Sequence, residues 1–229
     1  YLSLSYFLGK ILPQKLSKDR VDHKDIEITL TKEPVPRRNI ILIMGESLTP
    51  NHMSLFGYER ETTPFLDTLQ NDQEFYYRRG LSAGVSTDIS TAFLMNNTFG
   101  LGGANRVFKG DRCLFKLAKN NNFQTYFYSA QSSQQLRYMA NSLCPKFIDH
   151  FKSFKDITKT VTDENAARDI DLLDQFEKID LSSGSNFIVL HHRGSHSPYN
   201  LRYSKENAPF KTDKTIGKKD LVNHYDNSV

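Results

Sequence analysis

The chain has 229 residues, of which 38% are hydrophobic and 24% are charged, enough for one large α/β domain or two small ones. No stretch approaches the roughly 20 continuous apolar residues of a membrane-spanning helix, and the apolar start lacks the basic residues and cleavage motif of a signal peptide. The net charge of +4 comes from scattered basic residues, which argues against nucleic acid as a partner. A mild positive charge suits an anionic surface such as a phosphate-bearing lipid or glycan.

The predicted elements alternate between strands and helices. Residues 1–38 are expected to form a membrane-proximal helix and a charged linker, and 39–229 a domain that is incomplete at its C-terminus. The alternation predicts an α/β fold with a mixed, mostly parallel sheet flanked by helices. The expected strands are 40–44, 75–81, 123–129 and 186–191, and the expected helices are 63–70, 87–97, 113–120, 132–143, 163–179 and an interrupted one at 218–229.

The first strand ends in Gly45, Glu46 and Ser47. Its uninterrupted apolar run predicts a strand buried on both faces of a parallel sheet, and such sheets bind ligands beyond the carboxyl ends of their strands. Glu46 falls at that place. A carboxylate there, in a basic protein, indicates a metal ion or a cationic substrate group, and a helix-capping glutamate is the alternative.

Small and hydroxyl residues crowd the start of the helix predicted at 87–97, in the segment Gly84–Thr91. The N–H groups and the dipole of a helix start bind phosphate and stabilise the charge that develops on a serine or threonine nucleophile. Ordinary N-capping by Ser86 or Thr87 is the alternative.

Three histidines and an arginine lie within Leu190–Pro198, directly after the strand at 186–191. These side chains suit metal ligation or phosphoryl binding. Hydroxyl, carboxylate and histidine groups at one sheet edge indicate metal-assisted phosphoryl transfer.

Cys113 and Cys144 are the two cysteines of the sequence, and their spacing fits neither a zinc motif nor a CxxC redox pair. They could form one disulfide or remain two buried thiols. The cysteines therefore do not show whether the chain resides in an oxidising or a reducing compartment.

Three segments together resemble the catalytic domain of phosphoethanolamine transferases, which belong to the alkaline phosphatase and sulfatase superfamily. The pattern GES…MSLxGYxRxTTP runs from Gly45 to Pro64, LHxxGSHxP runs from Leu190 to Pro198, and a segment similar to NxYDNS(I/V) ends at Val229. The resemblance covers residues 39–229. It implies an alkaline-phosphatase-like fold and metal-dependent transfer of phosphoethanolamine from phosphatidylethanolamine to lipopolysaccharide (lipid A or core) or another envelope glycan.

The resemblance also implies roles for single residues. Glu46 matches the zinc-ligating glutamate, and Thr87 matches the zinc-bound threonine nucleophile that forms a phospho-threonine intermediate, with Ser86 and Ser90 as alternatives. His191 and His196 match two histidines that bind the phosphoryl group of the substrate or a second zinc ion.

Two departures limit the match. Ala83 and Phe93 stand where the lipid A enzymes that confer polymyxin resistance carry disulfide-bonded cysteines. An Asp-His pair that completes the family's primary zinc site is expected after Val229, so residues 1–229 alone are expected to be inactive. Family members have membrane helices ahead of this domain, which implies an enzyme of the bacterial inner membrane with its catalytic domain in the periplasm.

Two other functions remain open from the sequence. A phosphoglycerol transferase, sulfatase or phosphodiesterase of the same superfamily is the nearer alternative. A non-catalytic envelope-binding module is the alternative of another class.

Overall fold

The computed structural model describes residues 38–98, 107, 109–110, 112–157, 169–212 and 217–229. All of them belong to a unit that runs from Pro36 to Val229. The helix and linker expected at 1–38 therefore lie outside the described residues, apart from Arg38. No helix within the described ranges is long and apolar enough to cross a membrane.

A four-stranded sheet with the order β1-β4-β2-β3 organises the described residues, and each neighbouring pair of strands is parallel. The register aligns the last residues of the three longest strands, Met44, His191 and Ser129, in one row. The predicted α/β class with a parallel sheet is confirmed. The strands are β1 at Asn39–Met44, β2 at Phe123–Ser129, β3 at His150–Lys152 and β4 at Ser185–His191.

The prediction that β1 is buried on both faces is wrong. This strand lies at the edge of the described sheet, and Ile40, Ile41 and Ile43 remain 46%, 43% and 60% exposed. The central place belongs to β4, whose residues from Asn186 to His191 are all buried. The two strands have the same apolar sequence pattern, although β1 is an edge strand and β4 is central. Composition shows that a strand is apolar, but it does not show how many neighbouring strands it has.

Helices cover the sheet on both faces. In β4, Phe187 and Val189 pack into one buried cluster, whereas Ile188 and Leu190 pack into a second cluster on the opposite face, as the alternation of side chains along a strand requires. The α-helices of the described residues are α1 at Pro64–Thr68, α2 at Thr87–Met95, α3 at Leu114–Asn120, α4 at Ser133–Met139, α5 at Phe154–Ile157, α6 at Leu173–Phe176 and α7 at Lys218–Asp226.

The strand expected at 75–81 is absent, and this described segment is irregular. Its aromatic side chains pack locally: the Phe75 and Tyr77 rings stack with centroids 5.6 Å apart, and Tyr77 meets Phe56 at 5.7 Å. Arg79 also donates from Nη2 to the Phe56 carbonyl at 2.9 Å. The apolar alternation therefore reflects a local aromatic cluster and not pairing with the sheet.

A buried carboxylate ties α7 to the segment that follows β1. The Asp226 side chain has no exposed surface and accepts hydrogen bonds from His52 Nδ1 at 2.6 Å, Tyr58 Oη at 2.9 Å and Arg60 Nη1 at 2.8 Å. Burial, together with the hydrogen bond to Asp226, raises the pKa of Tyr58, so its hydroxyl keeps the proton that it donates. Three residues of the GES…TTP segment thus share one partner at the other end of the chain.

Tyr225, the neighbour of Asp226, holds the same segment closer to the end of β1. Its hydroxyl donates to the Ser47 carbonyl at 2.8 Å and accepts from the Thr49 N–H at 3.0 Å. Because Ser47 follows Glu46 directly, α7 restrains the backbone beside that carboxylate.

We predict that Asp226→Asn destabilises the fold. An amide accepts fewer and weaker hydrogen bonds than a carboxylate, and the change leaves Arg60 without its ionic partner. Because the Arg60 side chain keeps 26% of its surface exposed, the expected loss in free energy of unfolding is about 2–4 kcal/mol, below that of a fully buried pair. Urea unfolding measures this loss.

The matched control is Asp174→Asn, the same change at an exposed position of α6. It should stay within about 0.5 kcal/mol of the unmodified protein. Equal effects of the two substitutions would show that Asp226 does not tie α7 to the fold.

Candidate functional site

Glu46 lies at the carboxyl edge of the sheet, and its backbone is held by the loop that follows β4. The Ser195 N–H donates to the Glu46 carbonyl at 3.1 Å, and the His192 N–H donates to the Met44 carbonyl at 2.9 Å. Gly194, at φ +51°, lies so close that a Cβ atom there would be 2.6 Å from the Glu46 carbonyl oxygen and 2.9 Å from its nitrogen. Position 194 therefore requires glycine, both for its left-handed backbone and for this contact.

Asp169 holds the same loop from the other side. Its Oδ1 accepts from the Arg193 N–H at 2.6 Å and its Oδ2 from the Gly194 N–H at 2.8 Å. His192 Nδ1 lies 3.7 Å from Asp169 Oδ2. Asp169 falls within the helix predicted at 163–179, and no local sequence pattern links it to a loop that follows a later strand.

Thr87 is the first residue of α2, and its hydroxyl faces the Glu46 carboxylate. Thr87 Oγ1 lies 2.9 Å from both Oε1 and Oε2. Ser86, the N-cap residue, makes no capping hydrogen bond with its side chain, and the Ser90 hydroxyl donates to the Ser86 carbonyl at 3.1 Å. Of the three hydroxyl groups considered from the sequence, the Thr87 hydroxyl is the one that contacts Glu46.

Gly84 lies three residues before Thr87, and the structure explains why this position is glycine. A Cβ atom at this position would lie 2.7 Å from Cγ2 and 2.9 Å from Cβ of Ile89, in the first turn of α2. A larger residue would push the loop away from the helix. The glycine thus lets the loop fold against the start of α2, where Thr87 meets Glu46.

A cleft of about 700 Å³ opens in front of Glu46 and Thr87. Glu46 and Thr87 form its polar floor, and the hydroxyl of the exposed Ser47 lies 3.3 Å from Glu46 Oε1. Its rim is apolar and open to solvent, since Leu81 and Val85 are fully exposed. The cleft suits an amphiphilic ligand with a polar group at the floor. Its lining comprises residues 44–48, 81–87, Ser90, Thr91, Leu94 and Thr98.

His191, the last residue of β4, is completely buried and does not line this cleft. Its Nδ1 lies 3.0 Å from Ser129 Oγ, and its Nε2 has no hydrogen-bond partner among the described residues. Burial, with a smaller contribution from the charge of His192, lowers the pKa of His191 to about 3. The imidazole is therefore neutral at physiological pH.

His196 lies in the loop after β4 and is partly exposed. Its Nδ1 donates to the Ser197 carbonyl at 2.6 Å, which leaves Nε2 free to accept. The structure thus brings Glu46 and Thr87 together, whereas His191 and His196 do not belong to the wall of the cleft between them.

Glu46 and Thr87 supply two converging oxygen atoms, which fit part of a zinc site. A zinc site normally has about three or four protein ligands. Within the described ranges there is no group of three or more His, Cys, Asp or Glu side chains that could hold a metal ion. The chemistry of the two oxygen donors is compatible with zinc, and the described residues do not complete its ligand set.

Comparison with known proteins identifies similar sequences and folds. The chain is 28% identical over 200 residues to the Kdo(2)-lipid A phosphoethanolamine 7''-transferase of Salmonella typhimurium, a match that takes in 83% of this chain and 34% of that protein. The chain thus spans about a third of the length of the curated relatives that it matches first.

Two solved structures have a similar fold. They are the zinc complex of the periplasmic domain of EptC from Escherichia coli (TM-score 0.66) and the soluble domain of lipooligosaccharide phosphoethanolamine transferase A from Neisseria meningitidis (TM-score 0.68). Each is 22% identical to the chain and matches 84% of it, which corresponds to 55% and 57% of those two chains. The predicted fold of alkaline-phosphatase type is confirmed. A model of the sulfatase family matches residues 38–229, and the chain therefore belongs to the sulfatase family.

Proposed function

We propose that the chain is part of a phosphoethanolamine transferase in which Thr87 is the nucleophile. The observation that carries this proposal is the hydrogen bond of the Thr87 hydroxyl to both oxygens of Glu46 at 2.9 Å, at the floor of an open cleft. A hydroxyl whose proton points to a carboxylate presents its lone pairs in a defined direction, as a nucleophile requires. Because similar proteins are named phosphoethanolamine transferases, we take phosphoethanolamine as the group that this chain transfers.

Thr87 would attack the phosphorus of phosphatidylethanolamine and form phospho-threonine, while diacylglycerol leaves. The apolar rim at Leu81 and Val85 would contact the acyl end of this donor, and the polar floor would contact its headgroup. A hydroxyl of lipopolysaccharide, or of another envelope glycan, would then displace Thr87 from the phosphorus. Such a donor and acceptor require a catalytic domain on the periplasmic side of the bacterial inner membrane.

Glu46 and Thr87 would be two of the ligands of a catalytic zinc ion. When bound, zinc supplies Lewis acidity that lowers the pKa of a coordinated hydroxyl. Glu46 also orients the Thr87 hydroxyl through their direct hydrogen bond. Further ligands outside the described residues would complete the site, because two ligand side chains are too few to hold zinc tightly.

His191 and His196 would act on the oxygens of the transferred phosphoryl group or bind a second zinc ion. His196 is partly exposed, and it follows Ser195, whose N–H is bonded to the Glu46 carbonyl. His191 has an unpartnered Nε2 among the described residues at the same edge of the sheet.

Thr87→Ala in the full-length enzyme should lower phosphoethanolamine transfer by several orders of magnitude, because it removes the atom that bonds to phosphorus. Ser90→Ala, the matched control on the next turn of α2, should retain transfer within a few-fold. Mass spectrometry should find the phospho group on Thr87 during turnover. The proposed nucleophile is wrong if Ser90→Ala abolishes transfer and Thr87→Ala does not.

The same assay separates transfer from hydrolysis. Product on the glycan supports a transferase, whereas release of free phosphoethanolamine alone would identify a phosphodiesterase of the same superfamily.

Glu46→Gln should reduce the zinc content of the full-length enzyme, because an amide is a much poorer ligand for Zn²⁺ than a carboxylate. We expect at least about a tenfold loss of zinc affinity, measured by elemental analysis during titration with a chelator. Glu59→Gln makes the same change at an exposed site and should leave zinc content unchanged. Unaltered zinc affinity in Glu46→Gln would exclude Glu46 as a ligand.

His196→Ala should lower transfer at least about tenfold, while zinc content falls less than in Glu46→Gln, because an imidazole that binds phosphoryl oxygens acts on substrate. His191→Ala also opens a cavity beside Ser129 and should lower stability as well as transfer. His150→Ala, at an exposed position of β3, is the control. Full transfer by the double variant of His191 and His196 would restrict both residues to a structural role.

A further inference from the structure

Cys113 and Cys144 lie side by side beneath the sheet, and both are free thiols in the structure. Cys113 Sγ lies 3.9 Å from the carbonyl oxygen of Leu143, the residue before Cys144, and each thiol has the largest influence on the pKa of the other. Both side chains pack against the same apolar cluster. The sulfur atoms are therefore neighbours in the folded chain.

The environment of the pair favours a thiolate. The hydrogen bond from Cys144, assisted by backbone N–H groups of Lys116 and Phe115, lowers the pKa of Cys113 to about 7. The hydrogen bond to Cys113, with burial, raises the pKa of Cys144. The two sulfur atoms thus share one proton near neutral pH, and the thiolate is the reactive form of cysteine.

Access to the two sulfur atoms differs. Cys113 is completely buried, whereas Cys144 is partly exposed and lines a separate cleft of about 290 Å³. Lys109, Lys116 and Lys146 also line this cleft, and positive charge stabilises a thiolate. An external reagent can therefore reach Cys144, and Cys113 can react only with Cys144.

We propose that Cys113 and Cys144 form a structural disulfide when the protein meets a disulfide-bonded oxidant. Cys144 passes the shared proton to the Cys113 thiolate as its Sγ attacks one sulfur of the oxidant, so that a mixed disulfide forms and the first oxidant thiolate leaves. The Cys113 thiolate then attacks Cys144 Sγ, which forms the Cys113–Cys144 bond and releases the second thiolate. Two electrons pass to the oxidant, and the one proton that the two sulfur atoms shared passes to an oxidant thiolate or to solvent before Cys113 attacks.

The bond would lie under the far end of α2, the helix that begins with Thr87. Asn96, which ends this helix, is completely buried and donates from Nδ2 to the Ser142 carbonyl at 2.8 Å. Cys144 Sγ in turn lies 3.9 Å from Asn96 Oδ1. A disulfide would therefore fasten the turn at 142–144, to which the end of α2 is bonded, onto the start of α3.

The test begins with a thiol map. The protein is equilibrated with oxidised glutathione, its free thiols are alkylated, and it is digested without reduction and analysed by mass spectrometry. We expect one linked peptide pair that joins Cys113 to Cys144. Alkylation of both thiols in most molecules would overturn the proposal. The disulfide proposal rests on the proposed function only for the expectation of an oxidising compartment. Because the thiol map does not measure transfer activity, the disulfide and the transferase function can each be refuted separately.

The second measurement is thermal unfolding with and without reductant. Reduction should lower the melting temperature of the unmodified protein by roughly 5–15 °C, since the bond closes a loop of about 30 residues. Cys144→Ser and Cys113→Ala should each unfold at a temperature that reductant does not change. If either variant does not fold, the comparison of oxidised and reduced unmodified protein still decides. An unchanged melting temperature on reduction of a mapped disulfide would refute its structural role.

Discussion

The parallel pairing of β4 with β1 on one side and β2 on the other is the constraint on which the candidate site depends. It aligns Met44, His191 and Ser129 at one edge of the sheet, so the segments that follow β1 and β4 leave it together. The loop after β4 then bonds to the Glu46 backbone, and Gly194 makes this contact possible. The position of the Glu46 backbone at the sheet edge is therefore a consequence of strand register.

Contacts between distant parts of the chain add to this register. Asp169 holds the loop after β4, and Tyr225 and Asp226 of α7 hold the segment after β1. These contacts satisfy polar groups that are partly or fully removed from water. The polar network therefore has two effects: it offsets the cost of burial, and it restrains the backbone on both sides of Glu46.

The parts of this arrangement that depend on local patterns could be predicted from the sequence, and the parts that depend on distant pairing could not. The β4 strand and the start of α2 follow from apolar runs, capping residues and the Gly84 spacing. The edge position of β1 and the link between Asp226 and Arg60 depend on neighbours far along the chain, which one sequence does not reveal. The aromatic run at 75–81 has the sequence pattern of a strand but does not pair with the sheet, because local stacking and sheet pairing use the same residue types.

The helix α2 is held at both of its ends, and this matters for the position of Thr87. At the first residue, the Thr87 hydroxyl bonds to Glu46, and at the last turn, Asn96 bonds to the carbonyl oxygens of Ala92 and Ser142. A displacement of about 1 Å in a reacting group can cost about a hundredfold in rate. Among the described residues, the exposed loop at 81–85 makes no comparable hydrogen bonds to the sheet. The floor of the cleft and the helix α2 are therefore better restrained than the rim. A donor headgroup would meet a fixed hydroxyl there, while the acyl portion would meet the less restrained rim.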